Sequence, residues 1–529
     1  MPRAMTAQEI ATNQGEERSM STDLTDSRLQ SFNPATLELI GSVPEMTEGE
    51  VRQAVQRARK TFPSWSALPF HERADQMLAV RDVLMDRARD VGLRISKETG
   101  KPLADALVSE VFTSADLIGY YAKHGGRILS DKRVPTGILK TKKAYKTYEP
   151  LGVVGIISPW NYPFSLTFSP LVTALFAGNT VVLKGSEFTP LVSEMIAELF
   201  AEANVHPGIL EVVTGGPATG GYLVSSGLQK IVFTGSTATG KKVMAAAAET
   251  LTPVVMELGG KDPMIVCEDA DLDRAANAAV WGAFTNCGQV CTSVERVYVT
   301  EPVYEEFVEK VVERASEIRI GYEEGGSQFD VGSMTRPQQL ATVEEHVADA
   351  LDKGATVLAG GERRDDLGGH FYEPTVLVGV NHDMKVMSEE TFGPLLPIMK
   401  VKDEAEAVRM ANETRYGLAS SVWTTSKSRA HRLVKEINAG GVVINDCLAH
   451  FGMPSLPFGG TKESGIGRTH GEEGLLEFVQ VKAVLEDRFG PKTELFWYPV
   501  PPWLASGLVT AMRLMYRRGL KNKLFPPRR

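Results

Sequence analysis

Val153-Val154-Gly155-Ile156-Ile157-Ser158 is a short run of β-branched residues that closes on a small polar one, and the stretch after it repeats that pattern. Beyond Pro163, apolar residues fall at Phe168, Leu171, Val172 and Leu175, the spacing of one helical face, and Gly178-Asn179 end it. Thr180-Val181-Val182-Leu183-Lys184 reads as a second buried strand. Thr189-Pro190 then supplies a cap and a first-turn proline for a helix carrying Val192, Met195, Ile196 and Leu199, which stops at His206-Pro207-Gly208. Ile209 to Thr214, Ile231 to Thr234 and Val254 to Glu257 are three further strand candidates with helical patterns between most of them. Such alternation predicts a doubly wound parallel sheet. Sheets of that kind bind ligands beyond the carboxyl ends of their strands, where Ser158, Lys184, Gly215, Gly235 and Glu257 stand.

Outward from this block the character changes on both sides. Thr47-Glu48-Gly49-Glu50 is a candidate capping box ahead of Val51, Ala54, Val55 and Ala58, and the helical pattern runs on to about Gly125. Lys140 to Leu151 reads as an exposed ribbon, with Tyr145, Thr147 and Tyr148 among lysines. From Pro263 to Asp446 a second strand–helix series appears, with strands near Met264–Val266, Arg296–Val299 and Val442–Ile444, which predicts a second α/β domain. No internal repeat or low-complexity stretch interrupts it.

The 529 residues suggest about three structural units at roughly 150 residues each. Apolar content of 43% and charged content of 23% suit an ordinary globular core, and a net charge of −9 gives no electrostatic reason to bind nucleic acid. Cys267, Cys287, Cys291 and Cys447 are scattered, with no CxxC pair and no zinc spacing, so a reducing compartment is expected and a metal site is not. Residues 1–30 are polar and lack the apolar stretch of a signal peptide, and they read as a disordered extension. No apolar run reaches 18 residues. The expected location is the cytoplasm.

Several positions carry candidate chemistry. Cys291 lies in a turn after Gly288-Gln289, unlike Cys267 in its Val/Ile strand. A thiol in a turn is a candidate nucleophile, whereas free cysteine is usually a small buried residue. Cys287 reads as packing. Glu257 ends an apolar strand, where a carboxylate is costly unless paired or functional. Gly235-Ser236-Thr237-Ala238-Thr239-Gly240 follows a strand and opens a helix, which fits either a phosphate cradle or a tight turn. Lys184 and Glu187 are placed to reach ribose hydroxyls or to form a solvated loop pair. Asn161, in Trp160-Asn161-Tyr162-Pro163, is either an oxyanion donor or a helix cap.

Taken together, these segments resemble the aldehyde dehydrogenase superfamily from about residue 30 to about residue 485. Met256-Glu257-Leu258-Gly259-Gly260-Lys261 and Gly288-Gln289-Val290-Cys291 are similar to its two signature motifs. Ser158-Pro159-Trp160-Asn161, Phe233-Thr234-Gly235-Ser236, Glu389-Glu390-Thr391-Phe392-Gly393-Pro394 and Pro457-Phe458-Gly459-Gly460 match further. The resemblance implies Cys291 as nucleophile, Asn161 with the Cys291 backbone N–H as oxyanion hole, and Glu257 as general base. It also implies a dinucleotide site in which Ser158 and Trp160 line the cleft, Lys184 and Glu187 hold the adenosine ribose, Gly235 and Ser236 meet the pyrophosphate, and Glu390 holds the nicotinamide ribose beside Phe392. Glu187 favours NAD, with NADP left open. Tyr162, Thr285 and Phe458 are the expected substrate-pocket residues.

The implied fold is a doubly wound cofactor domain, a second α/β catalytic domain and a β bridging arm that pairs subunits into dimers or tetramers. The expected boundaries are residues 1–29 for the extension, 30–128 and 149–258 for the cofactor domain, and 259–446 for the catalytic domain. The arm takes 129–148 and 447–488, and a tail takes 489–529. Two departures stand out. Thr469-His470 follow Gly467-Arg468 where many relatives carry an acid, and Ser169 stands where some relatives have an aromatic substrate wall.

The stretch from Gly452 to Val484 resembles bacterial succinate-semialdehyde dehydrogenases, yet Thr285 stands six before Cys291, where such enzymes place an arginine for the distal carboxylate. The expected substrate is therefore a broad-range or hydrophobic aldehyde, with succinate semialdehyde as the alternative. A CoA-acylating enzyme fits less well because such enzymes generally lack the Glu257 carboxylate. A non-catalytic protein would have no use for Cys291, Glu257 and Asn161 together. Trp497, Trp503, the stripe Leu504, Leu508, Ala511, Met512 and Met515, and the basic residues from Arg513 onward fit either an anionic membrane surface or packing on a neighbouring subunit.

Overall fold

The computed structural model describes residues 27–326 and 328–518. Most of the extension expected over residues 1–29, and the basic residues from 519 on, fall outside them. Within that expected extension, Arg28 and Leu29 instead open a strand, Arg28–Phe32, paired antiparallel with Leu39–Pro44. Alternation in this hairpin is too weak to separate it from a polar leader.

The strands anticipated from Val153 onward form a six-stranded sheet. Its order is Gly465–Ile466, Val254–Glu257, Lys230–Thr234, Val153–Ile157, Thr180–Lys184 and Leu210–Val212, all parallel except the first. Burial of both faces explains the unbroken Val/Ile runs: every residue of Thr180–Lys184 is buried. The helix Glu48–Ser66 opens with the anticipated capping box, Thr47 and Glu50 bonding each other's backbone N–H groups. It lays Val51, Ala54, Val55 and Ala58 on the sheet core. A single π-helical turn, Leu107–Phe112, breaks the otherwise α-helical course to Ile128. Such turns favour functional sites because they re-aim side chains.

From Asp262 the chain builds a seven-stranded sheet in the order Thr356–Ala359, Thr375–Val378, Leu395–Val401, Val294–Thr300, Asp262–Val266, Ser421–Trp423 and Val443–Ile444. Its core centres on Val297, Tyr298, Ile398, Val422 and Trp423. The two sheets part between Glu257 and Asp262, so Gly259 and Gly260 join them.

The chain divides into a large unit, to Ile128 and from Pro150 to Val479, and a small one, Leu129–Glu149 and from Gln480. The expectation that residues 447–488 belong wholly to an arm needs correction: 447–479 lie in the large unit. Gly465 and Ile466 pair with Glu257 and Met256, Phe458 exchanges backbone bonds with Thr469, and Leu475 and Phe478 are buried. The small unit has a three-stranded sheet ordered Val479–Asp487, Lys142–Pro150 and Lys132–Val134. Lys142 bridges Asp487 at 2.7 Å and also pairs with Glu494. This unit ends in the helix Leu504–Tyr516.

Candidate active site

In the six-stranded sheet, Val153–Ile157 has Thr180–Lys184 on one side and Lys230–Thr234 on the other. The chain winds outward from the first strand to one edge and returns to the opposite side, and this reversal leaves a crevice beyond the strand ends. A cleft of 810 Å³ fills it. Its wall brings together every candidate catalytic and cofactor residue: Cys291, Glu257, Asn161, Ser158, Trp160, Lys184, Glu187, Gly235, Ser236, Glu390 and Phe392. Gly215, also at a strand end, is not on that wall.

Local geometry suits a dinucleotide. A Cβ on Gly235 would stand 2.7 Å from the Phe233 ring, so a larger residue there would push that ring aside. Ser236 caps the helix Thr237–Ala248 by accepting the Thr239 N–H, and the first-turn N–H groups of that helix favour phosphate. Lys184 Nζ lies 3.3 Å from Glu187 Oε2. Glu390 accepts the Gly260 N–H at 2.9 Å, and burial pushes its carboxyl up to about 8. Phe392, held at φ 52°, meets Trp160 edge-on with ring centres 5.5 Å apart.

Two buried ion pairs hold these loops. Lys261 Nζ lies 2.6 Å from Glu295, whose oxygens accept the Thr391 and Phe392 N–H groups. Lys101 Nζ lies 2.7 Å from Glu110 and donates to the Asn161 backbone carbonyl, while Glu110 accepts the Phe164 and Ser165 N–H groups. Sequence reasoning missed Lys101, Glu110 and Glu295; nothing in their spacing marks a buried charge.

Cys291 follows a tight turn in which Asn286, Cys287 and Gly288 have φ of 49°, 55° and 69°. Left-handed non-glycine residues cost about 1–3 kcal/mol each and persist only where surroundings dictate them. Here the Asn286 side chain donates to the Asn161 carbonyl, and the Asn161 amide donates to the Gln289 carbonyl at 2.9 Å. One amide proton of Asn161 is thus committed, and its other proton remains for a ligand. Burial raises the Cys291 thiol, with Asp262, Glu257 and Glu390 adding to the effect. Burial also raises Glu257 well above the carboxylate range, and neither of its oxygens has a hydrogen-bond partner.

Cys291 faces three cavities. The cleft is one. A chamber of 30 Å³ between Cys291 and Glu257 is the second. The third is an apolar cavity of 660 Å³ lined by Val108, Tyr162, Val280, Trp281, Phe284, Thr285, Phe329 and Phe451, among others. Only Leu166 and Cys291 border all three. Of the three residues expected in the substrate pocket, Tyr162 and Thr285 stand on the apolar cavity and Phe458 on the small chamber. Among the described residues, no group of three His, Cys, Asp or Glu is placed to hold a metal ion.

A family model described as "Aldehyde dehydrogenase family" matches residues 21–484. The chain belongs to the aldehyde dehydrogenase family. Relatives of this aldehyde dehydrogenase include a 4,4'-diapolycopene aldehyde oxidase from Methylomonas sp, 41% identical over 481 residues, which span 90% of this chain and 89% of the relative. An NADP(+) succinate-semialdehyde dehydrogenase from Escherichia coli is 39% identical over 453 residues, 85% of this chain and 92% of that one. Among solved structures, the NAD+ complex of an aldehyde dehydrogenase from Bacillus cereus superposes with a TM-score of 0.83 at 35% identity, covering 87% of this chain and 93% of that chain. The aldehyde dehydrogenase described here is an NAD(P)-dependent enzyme, and its cleft fits that cofactor: a glycine floor, a helix N-terminus and the Lys184–Glu187 pair line it. Among the described residues, no helix is long and apolar enough to cross a membrane.

Proposed function

We propose that this enzyme oxidises an aldehyde bearing an extended apolar chain to the carboxylate, with Cys291 as nucleophile and Glu257 as base. The observation that carries the substrate class is the 660 Å³ cavity ending at Cys291, whose wall, among the described residues, contains no lysine, arginine or histidine. Its charged members are Asp105 and Asp330. A distal carboxylate there would meet like charge and no cation, whereas each buried methylene contributes about 0.8 kcal/mol. The relative named for 4,4'-diapolycopene aldehyde supports this reading. Succinate semialdehyde is the second reading, supported by relatives carrying that name at 38–40% identity.

The chemistry follows from the side chains. The Cys291 sulfur adds to the carbonyl carbon, and because burial keeps the thiol protonated at rest its proton passes to the Glu257 carboxylate, which releases it to solvent before the water step. Negative charge on the carbonyl oxygen is met by the free amide proton of Asn161 and the Cys291 N–H. A nicotinamide bound in the cleft supplies the acceptor for the hydride that departs. Lys184 and Glu187 would hold its adenosine ribose, Gly235 and Ser236 its pyrophosphate, and Glu390 its second ribose beside Phe392, with Ser158 and Trp160 along the wall. The thioester on Cys291 is then opened by water. Glu257 takes the water proton, a C–O bond forms, and the C–S bond breaks to return the sulfur.

The small unit supports two further parts of the proposal. Its sheet exposes Val481 and Leu485 on a terminal strand, a surface suited to pairing with a second copy, so a homodimer or tetramer is expected. The helix Leu504–Tyr516 exposes Leu508, Met512 and Met515, with Trp497 and Trp503 exposed ahead of it. Arg513 on this helix, and the basic residues that follow it in the sequence, support contact of a cytoplasmic enzyme with an anionic lipid surface.

The deciding experiment is kcat/KM, read as NADH formation, across unbranched aldehydes and succinate semialdehyde. A rise of about fourfold per added methylene is expected, from roughly 0.8 kcal/mol each. Preference for succinate semialdehyde over a neutral aldehyde of equal length would overturn the substrate assignment. Flotation with vesicles rich in phosphatidylserine tests the tail: the full chain should float and a form lacking 496–529 should not.

A further inference from the structure

The two sequence departures, Ser169 and His470, meet in the folded protein. His470 Nε2 lies 2.9 Å from Ser169 Oγ although 301 positions separate them. Ser169 borders the 30 Å³ chamber with Glu257, Cys291, Phe451, Phe458 and Thr469. That volume holds a water, since about 10–15 Å³ suffices, but a trapped water also needs two or more polar partners. Glu257 offers two oxygens that bond to nothing else. The Thr469 hydroxyl is turned toward the Phe458 carbonyl at 3.5 Å. Of the other two hydroxyl-bearing residues on the wall, Thr234 and Ser169, it is Ser169 whose hydroxyl bonds to a side chain outside the chamber.

We propose that Ser169, oriented by His470, is the second anchor of the hydrolytic water. Ser169 donates its proton to His470 Nε2, so the serine lone pairs face the chamber and accept one water proton while Glu257 accepts the other. Both water protons are then held, and the oxygen lone pair is left for the thioester carbon. A Ser169 hydroxyl pointing inward would instead donate to that lone pair and compete with attack. Burial lowers His470 to about 4, with His450 nearby adding to the effect, so the ring is neutral with one bare nitrogen, which we assign to Nε2 facing Ser169. During hydrolysis the water oxygen bonds to carbon, one proton passes to Glu257, the C–S bond breaks, and the Ser169 and His470 protons stay where they are. His470 is thus a positioning residue, and Ser169 touches the reacting water.

This inference rests on Glu257 and Cys291 acting as proposed above, and its test separates the two. The thioester is partitioned between water and added hydroxylamine, with hydroxamate and acid measured together with the NADH burst. Ser169→Ala should keep the burst, lower steady-state turnover, and raise the hydroxamate-to-acid ratio about tenfold. His470→Asn should raise it about threefold, and Ser169→Thr should restore it. Unchanged ratios with intact bursts would overturn the anchor, as would turnover with both nucleophiles falling equally. NADH formation undiminished in Cys291→Ala would instead defeat the Cys291 reading.

Discussion

Replacing Glu257 with glutamine separates what this carboxylate does for chemistry from what it costs the fold. Both its oxygens are buried without partners, and desolvation is the first cause of its raised pKa, partly offset by Arg468. A carboxyl raised on folding binds its proton more tightly in the native state. Its contribution to stability is full below the ordinary value of 4.5 and is lost as pH rises toward the folded value. Across that window the loss is about 1.4 kcal/mol per pH unit for one proton. The unsubstituted enzyme should therefore lose that much relative to Glu257→Gln for each unit above pH 5, until the folded value is passed. Urea unfolding at pH 5, 6, 7 and 8, at fixed protein concentration, reads the difference directly. Over the same series the variant should give a single NADH burst and then turn over about 10²–10⁴ times more slowly, having lost its base. Parallel stability curves would show that Glu257 is not desolvated as described, and undiminished turnover would show that it is not the base.

Thr285→Arg places a cation in the apolar cavity. It should raise kcat/KM for succinate semialdehyde about tenfold or more, from roughly 1.5–3 kcal/mol per charged hydrogen bond, while lowering it for long neutral aldehydes. Lys101→Met leaves Glu110 buried without its partner and should cost about 3–5 kcal/mol in thermal or urea unfolding. Gly288→Ala would drive a Cβ to within 2.1 Å of the Gly393 carbonyl oxygen, so the NADH burst should vanish even if the protein still folds by circular dichroism. In the unsubstituted enzyme kcat/KM should rise with pH through neutrality, because both Cys291 and Glu257 titrate above their ordinary values.

The sheet carrying the cleft is legible in the sequence because its strands are buried on both faces: Thr180–Lys184 has no exposed residue to blur the pattern. The hairpin Arg28–Phe32 is not, since only Ser31 among its residues is buried and the alternation fades. Cys291 and Glu257 can be singled out because a thiol in a glycine turn and an acid in an apolar strand each contradict their local surroundings. Lys101 and Glu110 contradict nothing locally; each looks like an ordinary helix-surface charge until tertiary packing seals them together. Ser169 and His470 are visible only as departures, because a contact across 301 positions leaves no periodicity to read. Phe458 stands on the small chamber and Tyr162 and Thr285 on the apolar cavity, a division that proximity to the nucleophile in the sequence pattern does not reveal.

Among the described residues, Leu166 and Cys291 are the two that line all three of the rooms proposed for dinucleotide, water and aldehyde. The aldehyde room is rimmed by Val108 and Trp281, which are 66% and 54% exposed. A long molecule therefore needs only its reacting end inside, and the remainder can trail past those side chains into its surroundings. Recognition then operates on the terminus and the first several carbons, with no ceiling on total length. Spent dinucleotide can leave by its own doorway while the acyl chain is still threaded through the other.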